Sequence, residues 1–159
     1  MKAMVIYDSI FGNTEQIARA IGKALSSRMN VETLRVSDLK VEQLTGIELL
    51  IIGSPTRAFS PTPAIGKFLR RISRNGLKDI TIAAFDTGIS LDDIDSPIGQ
   101  FFIRRFGYAA KKISDKLRKK GGKPAVPPEG FFVKGNEGPL KEGELERAAD
   151  WAKQIIAAQ

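Results

Sequence analysis

The sequence predicts an α/β fold, a three-layer α-β-α sandwich around a five-stranded parallel sheet. Three observations carry this expectation. Short, nearly unbroken apolar runs, such as residues 47–53, have the composition of strands buried on both faces. Between them lie segments whose apolar residues recur at helical spacing. The two kinds alternate along the whole chain, which places helices on both faces of a parallel sheet.

The first strand is expected over residues 2–8. The first helix follows over 13–28, with Ile17, Ala18, Ile21 and Leu25 on one face. The second strand, residues 31–36, alternates apolar and polar positions. Ser37 and Asp38 are cap residues for a weak helix through Leu44, and residues 47–53 form the third strand. Thr62 caps the next helix and Pro63 suits its first position. Ile65, Phe68, Leu69 and Ile72 point inward there, and Asn75-Gly76 stops it. The fourth strand spans 79–85. Ser96-Pro97 opens a long helix closed by Gly121-Gly122. It carries Phe102, Phe106, Ala110, Ile113 and Leu117 in one stripe and Phe101 on another face. Pro127-Pro128 splits the fifth strand into Lys123 to Val126 and Phe131 to Lys134. The last helix turns Leu145, Ala148, Ala149, Ala152, Ile155 and Ile156 to one side. No linker, repeat or low-complexity run interrupts the series, so residues 1–159 are expected to form one domain.

Composition narrows the chemistry. Cysteine is absent, which removes disulfides, thiol nucleophiles and thiolate metal sites. Histidine is absent too, and with it the commonest general base and metal ligand. No catalytic side chain and no metal ligand set is therefore expected. The pattern suits a protein whose chemistry belongs to a cofactor. No apolar run approaches membrane-span length, and the N-terminus has the pattern of a strand and not of a signal peptide. The expectation is a cytoplasmic protein without a membrane partner. The net charge is +7, from 25 basic and 18 acidic residues, and much of the excess falls between Arg104 and Lys123. That stretch is the solvated face of an amphipathic helix or a docking patch for an acidic redox partner.

The strongest motif is the junction of the first strand and helix, Ser9-Ile10-Phe11-Gly12-Asn13-Thr14. The first N–H groups of a helix lack intrahelical partners and carry partial positive charge. A phosphate placed there accepts bonds from them and from the Ser9 and Thr14 hydroxyls. The Gly-Lys-Ser/Thr ending of a nucleotide-triphosphatase loop is missing, as is the three-glycine dinucleotide pattern. The loop suits one terminal monophosphate.

The run Val5-Ile6-Tyr7-x-Ser9-x-x-Gly12-x-Thr14-x-x-x-Ala18-x-x-Ile21 resembles the FMN-phosphate signature of the flavodoxin family. The resemblance implies strand order 2-1-3-4-5 and FMN as cofactor, its phosphate on Ser9, Ile10, Phe11, Gly12, Asn13 and Thr14. It implies that Pro55, Thr56, Arg57, Ala58 and Phe59, after the third strand, lie along the flavin ring. It also implies that Asp86, Thr87 and Gly88, after the fourth, meet the ring's pyrimidine edge. Two features depart from the family pattern. Many flavodoxins place a glycine in the second loop, where a peptide turns over beside reduced flavin, and none stands between Ser54 and Pro61. The well-known members are acidic, and this chain is basic.

The function implied is electron transfer with a redox partner protein or a small-molecule acceptor. The alternative is an oxidoreductase of the same fold, an FMN-dependent NAD(P)H:quinone-type enzyme. A phosphoacceptor receiver domain needs an Asp at the end of the third strand, where Gly53-Ser54 stands. No nucleic-acid motif accompanies the basic stretch, so nucleic acid is not an expected partner. Phe101 is a candidate lid over the flavin or a contact with a second copy of the chain, which is a further candidate partner.

Overall fold

The computed structural model describes residues 1–159 apart from the side chains of Val41 and Phe106. Its strands are β1 (Lys2–Tyr7), β2 (Asn30–Arg35), β3 (Leu49–Pro55), β4 (Thr81–Ile89), β5 (Lys123–Pro124) and β6 (Glu129–Val133). Its helices are α1 (Asn13–Leu25), α2 (Pro63–Arg71), α3 (Pro97–Phe106), α4 (Ala109–Lys119) and α5 (Glu144–Ala157). The strands pair in parallel in the order β2-β1-β3-β4. The position beyond β4 is shared: β5 pairs with Thr81 and Ile82, and β6 pairs with Phe85 to Ile89. This is the predicted order, with the fifth strand interrupted around Pro127-Pro128.

Alternation along the strands divides the core in two. Val5, Tyr7, Ile51 and Phe85 face α1 and α5, and pack with Ile17, Ile21, Leu25, Trp151 and Ile155. Met4, Ile6, Leu50, Ile52 and Ile82 face α2 and α4, and pack with Ile65, Phe68, Leu69, Ile113 and Leu117. Thr62 and Ser96 cap as expected: the Ile65 N–H donates to Thr62 Oγ1 and the Gly99 N–H to Ser96 Oγ.

Several boundaries differ from the expectation. β4 continues to Ile89, because Asp86 and Thr87 find ladder partners on both β3 and β6, and Gly88 and Ile89 find theirs on β6. The predicted long helix is two helices. Gly107 takes φ 73° and ψ −163°, which ends α3, and α4 restarts at Ala109. Tyr108 at the break donates its hydroxyl to the Ile89 carbonyl, 3.0 Å away. Ala110, Ile113 and Leu117 are buried on α4, whereas Phe102 on α3 is exposed. Phe106, the remaining member of the expected stripe, has its side chain outside the described residues. The weak helix before β3 is a pair of 3₁₀ turns, Val36–Asp38 and Val41–Leu44. α1 ends at Leu25. On α5, Leu145 is exposed and Trp151 is buried in its place.

Phe85, Phe131 and Trp151 meet edge-to-face in all three pairs, with centroids 6.0 to 6.2 Å apart. Gly53 on the neighbouring strand makes room for this cluster. A Cβ there would stand 2.0 Å from Phe85 Cζ. Gly53→Ala forces the ring out of position and is expected to cost about 1–3 kcal/mol of stability. A urea unfolding midpoint equal to that of the parent would contradict this packing.

Candidate cofactor site

β1 and α1 are joined at the carboxyl end of the sheet, where ligands of such folds collect. Gly12 caps α1 with φ 92°, a left-handed conformation that glycine adopts without strain. No side chain caps this helix. Ser9 Oγ accepts the Gly12 N–H at 3.1 Å. Among the described residues, the N–H groups of Ile10, Phe11, Asn13, Thr14 and Glu15 meet no protein acceptor. The result is a concave array of open donors at a helix N-terminus, a site for an anion.

Arg35, at the end of β2, braces this loop. It donates to the Ser9 carbonyl at 2.8 Å and lies 3.4 Å from Asp8 and 3.7 Å from Glu15. Its hydrogen bond from Arg19 holds the Glu15 carboxyl below the usual carboxylate range. Arg35 is thus balanced by two carboxylates, which leaves the backbone donors as the anion attractor.

The first loop closes against the end of β4. Thr14 Oγ1 and Thr87 Oγ1 lie 2.7 Å apart, buried. Around them a cleft of about 100 Å³ is lined by Ser9, Ile10, Phe11, Asn13, Thr14, Pro55, Thr56, Arg57, Thr87 and Gly88. All ten were singled out in the sequence. Ile89, Val133 and Asn136 complete the lining and were not. The last two come from β6 and the turn after it, which also receives a bond from Asn13 Nδ2 to the Glu137 carbonyl, 3.0 Å. The turn-rich Gly135-Asn136-Glu137-Gly138-Pro139 after a strand was the available signal. A larger apolar cavity of about 440 Å³, between α2 and residues 36–44, shares no residue with the cleft and, among the described residues, presents no such donor array.

Four singled-out residues stand outside the lining. Gly12 lies beneath the loop as its cap. Ala58 and Phe59 form the tip of a tight turn in which Arg57 and Ser60 exchange both backbone bonds, at 2.8 and 2.9 Å. Both tip residues have positive φ, 46° and 64°. A two-residue turn of this kind ordinarily uses glycine or asparagine. The loop without glycine therefore already holds two non-glycine residues in left-handed conformations. Phe59 stacks on Phe102 of α3, with centroids 6.0 Å apart, and Arg57 lies 5.8 Å over the Phe11 ring.

Asp86 is the fourth. It is buried and its Oδ2 accepts the Ala110 N–H at 2.8 Å, so it holds the start of α4 against the sheet. Burial pushes its carboxyl up to about 7, against the opposing effect of bonds from Ala110 and Thr56. The folded chain keeps this proton where the unfolded chain has lost it, so the Asp86 contribution to stability declines as pH rises from about 4 to about 7. Asp86→Asn removes that decline. Its stability relative to the parent should rise across this window by up to about 1.4 kcal/mol per pH unit. Parallel stability–pH curves for the two proteins would show that Asp86 is ionised throughout.

With this geometry in view, the comparisons with known proteins are specific. The flavodoxin family profile matches residues 5–151. A flavodoxin from the domain Archaea superposes with a TM-score of 0.76 at 24% identity, over 99% of this chain and 97% of that one. Oxidised Flavodoxin 1 from Bacillus cereus superposes with a TM-score of 0.78 at 17% identity, over 99% and 98%. Rubredoxin oxygen:oxidoreductase from Desulfovibrio gigas contains the same fold, with a TM-score of 0.74 at 21% identity over 99% of this chain and 35% of that one. The donor-lined loop and the strand order are those expected from the signature, and the profile match spans nearly the whole chain: this protein belongs to the flavodoxin family.

Proposed function

We propose that this chain is a cytoplasmic FMN-dependent electron carrier in which the turn at Gly12 holds the FMN phosphate. Family membership supplies the cofactor and the class of function: flavodoxins bind FMN and transfer electrons. The observation that carries the residue assignment is the set of open N–H groups of Ile10, Phe11, Asn13, Thr14 and Glu15. They fit a phosphate because an anion gives each an acceptor that the protein withholds. Ser9 and Thr14 add hydroxyls at the same place, and Thr87 holds Thr14 in position.

When bound, FMN supplies the redox chemistry. The chain binds it, orients it and sets its surroundings. Pro55, Thr56 and Gly88 present a narrow wall from two adjacent strands, which suits the edge of a flat ring. Arg57 places a cation at the rim, where negative charge added on reduction is stabilised. No acid or base is needed from the side chains. The electrons leave to a redox partner protein in preference to a small-molecule acceptor.

Fluorescence titration of the apo chain tests the assignment. FMN should bind at least about a hundredfold more tightly than riboflavin, which lacks the phosphate, because charge-assisted bonds to several N–H groups are lost. Equal affinities would exclude the phosphate site. Addition of NADH or NADPH to the loaded protein should leave the flavin yellow; rapid bleaching would make it a reductase.

A further inference from the structure

Charge is divided unevenly between the two helical layers. Residues 61–78 and 97–123, which carry α2, α3 and α4, hold fourteen of the 25 Lys and Arg residues and one of the 18 Asp and Glu residues. That layer is positive by 13, and the rest of the chain is negative by 6, which together give the net +7. The lone acid, Asp115, is held by Lys111 at 2.9 Å. Arg70, Arg74, Arg104, Lys116, Arg118 and Lys119 are exposed and have no carboxylate partner among the described residues. The α1 and α5 layer, by contrast, is laced with pairs such as Arg19–Glu15 and Arg147–Glu144.

The basic layer reaches the cleft. Lys112 Nζ donates to Ser60 Oγ, 3.2 Å away in the turn after β3, and the Ala109 N–H donates to Thr56 Oγ1 at 3.0 Å. The same corner exposes apolar surface. Among the described residues seven large apolar side chains are exposed, and five of them, Ile10, Phe11, Ile98, Phe101 and Phe102, lie on the loop after β1 or on α3. Phe101 is 62% exposed and meets Phe102 at 5.9 Å, and Phe102 in turn meets Phe59.

We propose that this corner is the docking surface for an acidic electron-carrier protein. Phe101, Phe102 and Ile98 form the apolar contact, Arg104 stands on the same helix, Lys112 is held against the adjoining turn, and the other cations of α2 and α4 lie further along that layer and act at longer range. An apolar centre within a charged rim is the anatomy of a protein interface. A field positive by 13 on one side orients and accelerates the approach of a negative partner. A second copy is the wrong occupant, since it would set two positive layers face to face. A nucleic-acid duplex is also a poorer fit, since its phosphate surface offers no cover for Ile98 and Phe101. The electron-carrying role of the partner rests on the FMN reading above; the docking itself does not.

Isothermal titration of the apo and FMN-loaded chain with an acidic [2Fe–2S] ferredoxin and with basic cytochrome c tests this. The acidic carrier should bind both forms, at least about tenfold more weakly at about 0.3 M than at about 0.01 M salt. Combined Arg104→Glu, Lys116→Glu and Lys119→Glu should weaken it at least about tenfold while FMN affinity stays unchanged, which also shows that the fold survives. Phe101→Ser should weaken it severalfold with the salt dependence unchanged. Equal or tighter binding of cytochrome c would overturn the proposal, as would indifference to the charge reversals. So would self-association abolished by those reversals, or displacement of the carrier by duplex DNA. FMN binding without carrier binding refutes the docking proposal alone. Carrier binding without FMN binding refutes the cofactor reading alone.

Discussion

The structure depends on what happens to the unpaired N–H groups where β1 passes into α1. A helix normally satisfies some of these donors with a capping side chain. Here Gly12 takes the cap position in a left-handed conformation, and no side chain fills the role. The donors stay open, and the neighbouring residues hold the loop in that arrangement. Arg35 braces the loop from behind through the Ser9 carbonyl, and Asp8 and Glu15 absorb its charge. Thr14 is tied to Thr87, so the loop and the end of β4 move as one. The sheet order makes this possible, since β1 and β4 both flank β3 and end at the same edge.

The second constraint is electrostatic and acts over the whole molecule. The cluster of Phe85, Phe131 and Trp151 fixes one helical layer, and Asp86 fixes the start of α4 in the other. The layer with α2 and α4 then carries most of the positive charge, and its upper corner is the wall beside the cleft. A basic member of a family whose well-known members are acidic thus places its charge on one side. The self-repulsion this brings is modest because the cations are exposed and screened.

The fold was largely legible because its signals are local and redundant. Apolar strands such as residues 47–53, the Thr62-Pro63 cap and the Ser96-Pro97 cap each follow from short-range chemistry. The shape of the loop between β1 and α1 was legible for the same reason: strand, loop and helix start are contiguous. What was missed depends on tertiary partners. The extension of β4 through Gly88 needs β6 beside it, and no property of Asp86-Thr87-Gly88 alone announces a strand. The break at Gly107 hides inside a continuous helical stripe, because one glycine in a helix is weak evidence for a stop. It becomes a break through the bonds that Thr56, Asp86 and Ile89 make with residues 108–110. The resemblance put Phe59 along the flavin ring and said nothing of its stacking on Phe102, a pairing set by the position of α3. Asn136 and Val133 enter the cleft from a segment more than a hundred residues away from the loop they face.

The central claim is that the open donors of Ile10, Phe11, Asn13, Thr14 and Glu15 receive the phosphate of FMN. The most direct measurement is a ¹H–¹⁵N NMR titration of the apo chain with FMN. Hydrogen bonds to a phosphate move the amide protons that donate them downfield. The account predicts that the amides of Ile10, Phe11, Asn13, Thr14 and Glu15 shift downfield together and more than those of any other segment. Saturation with FMN that leaves these amides in place, with the main shifts around α2 and residues 36–44, would contradict it.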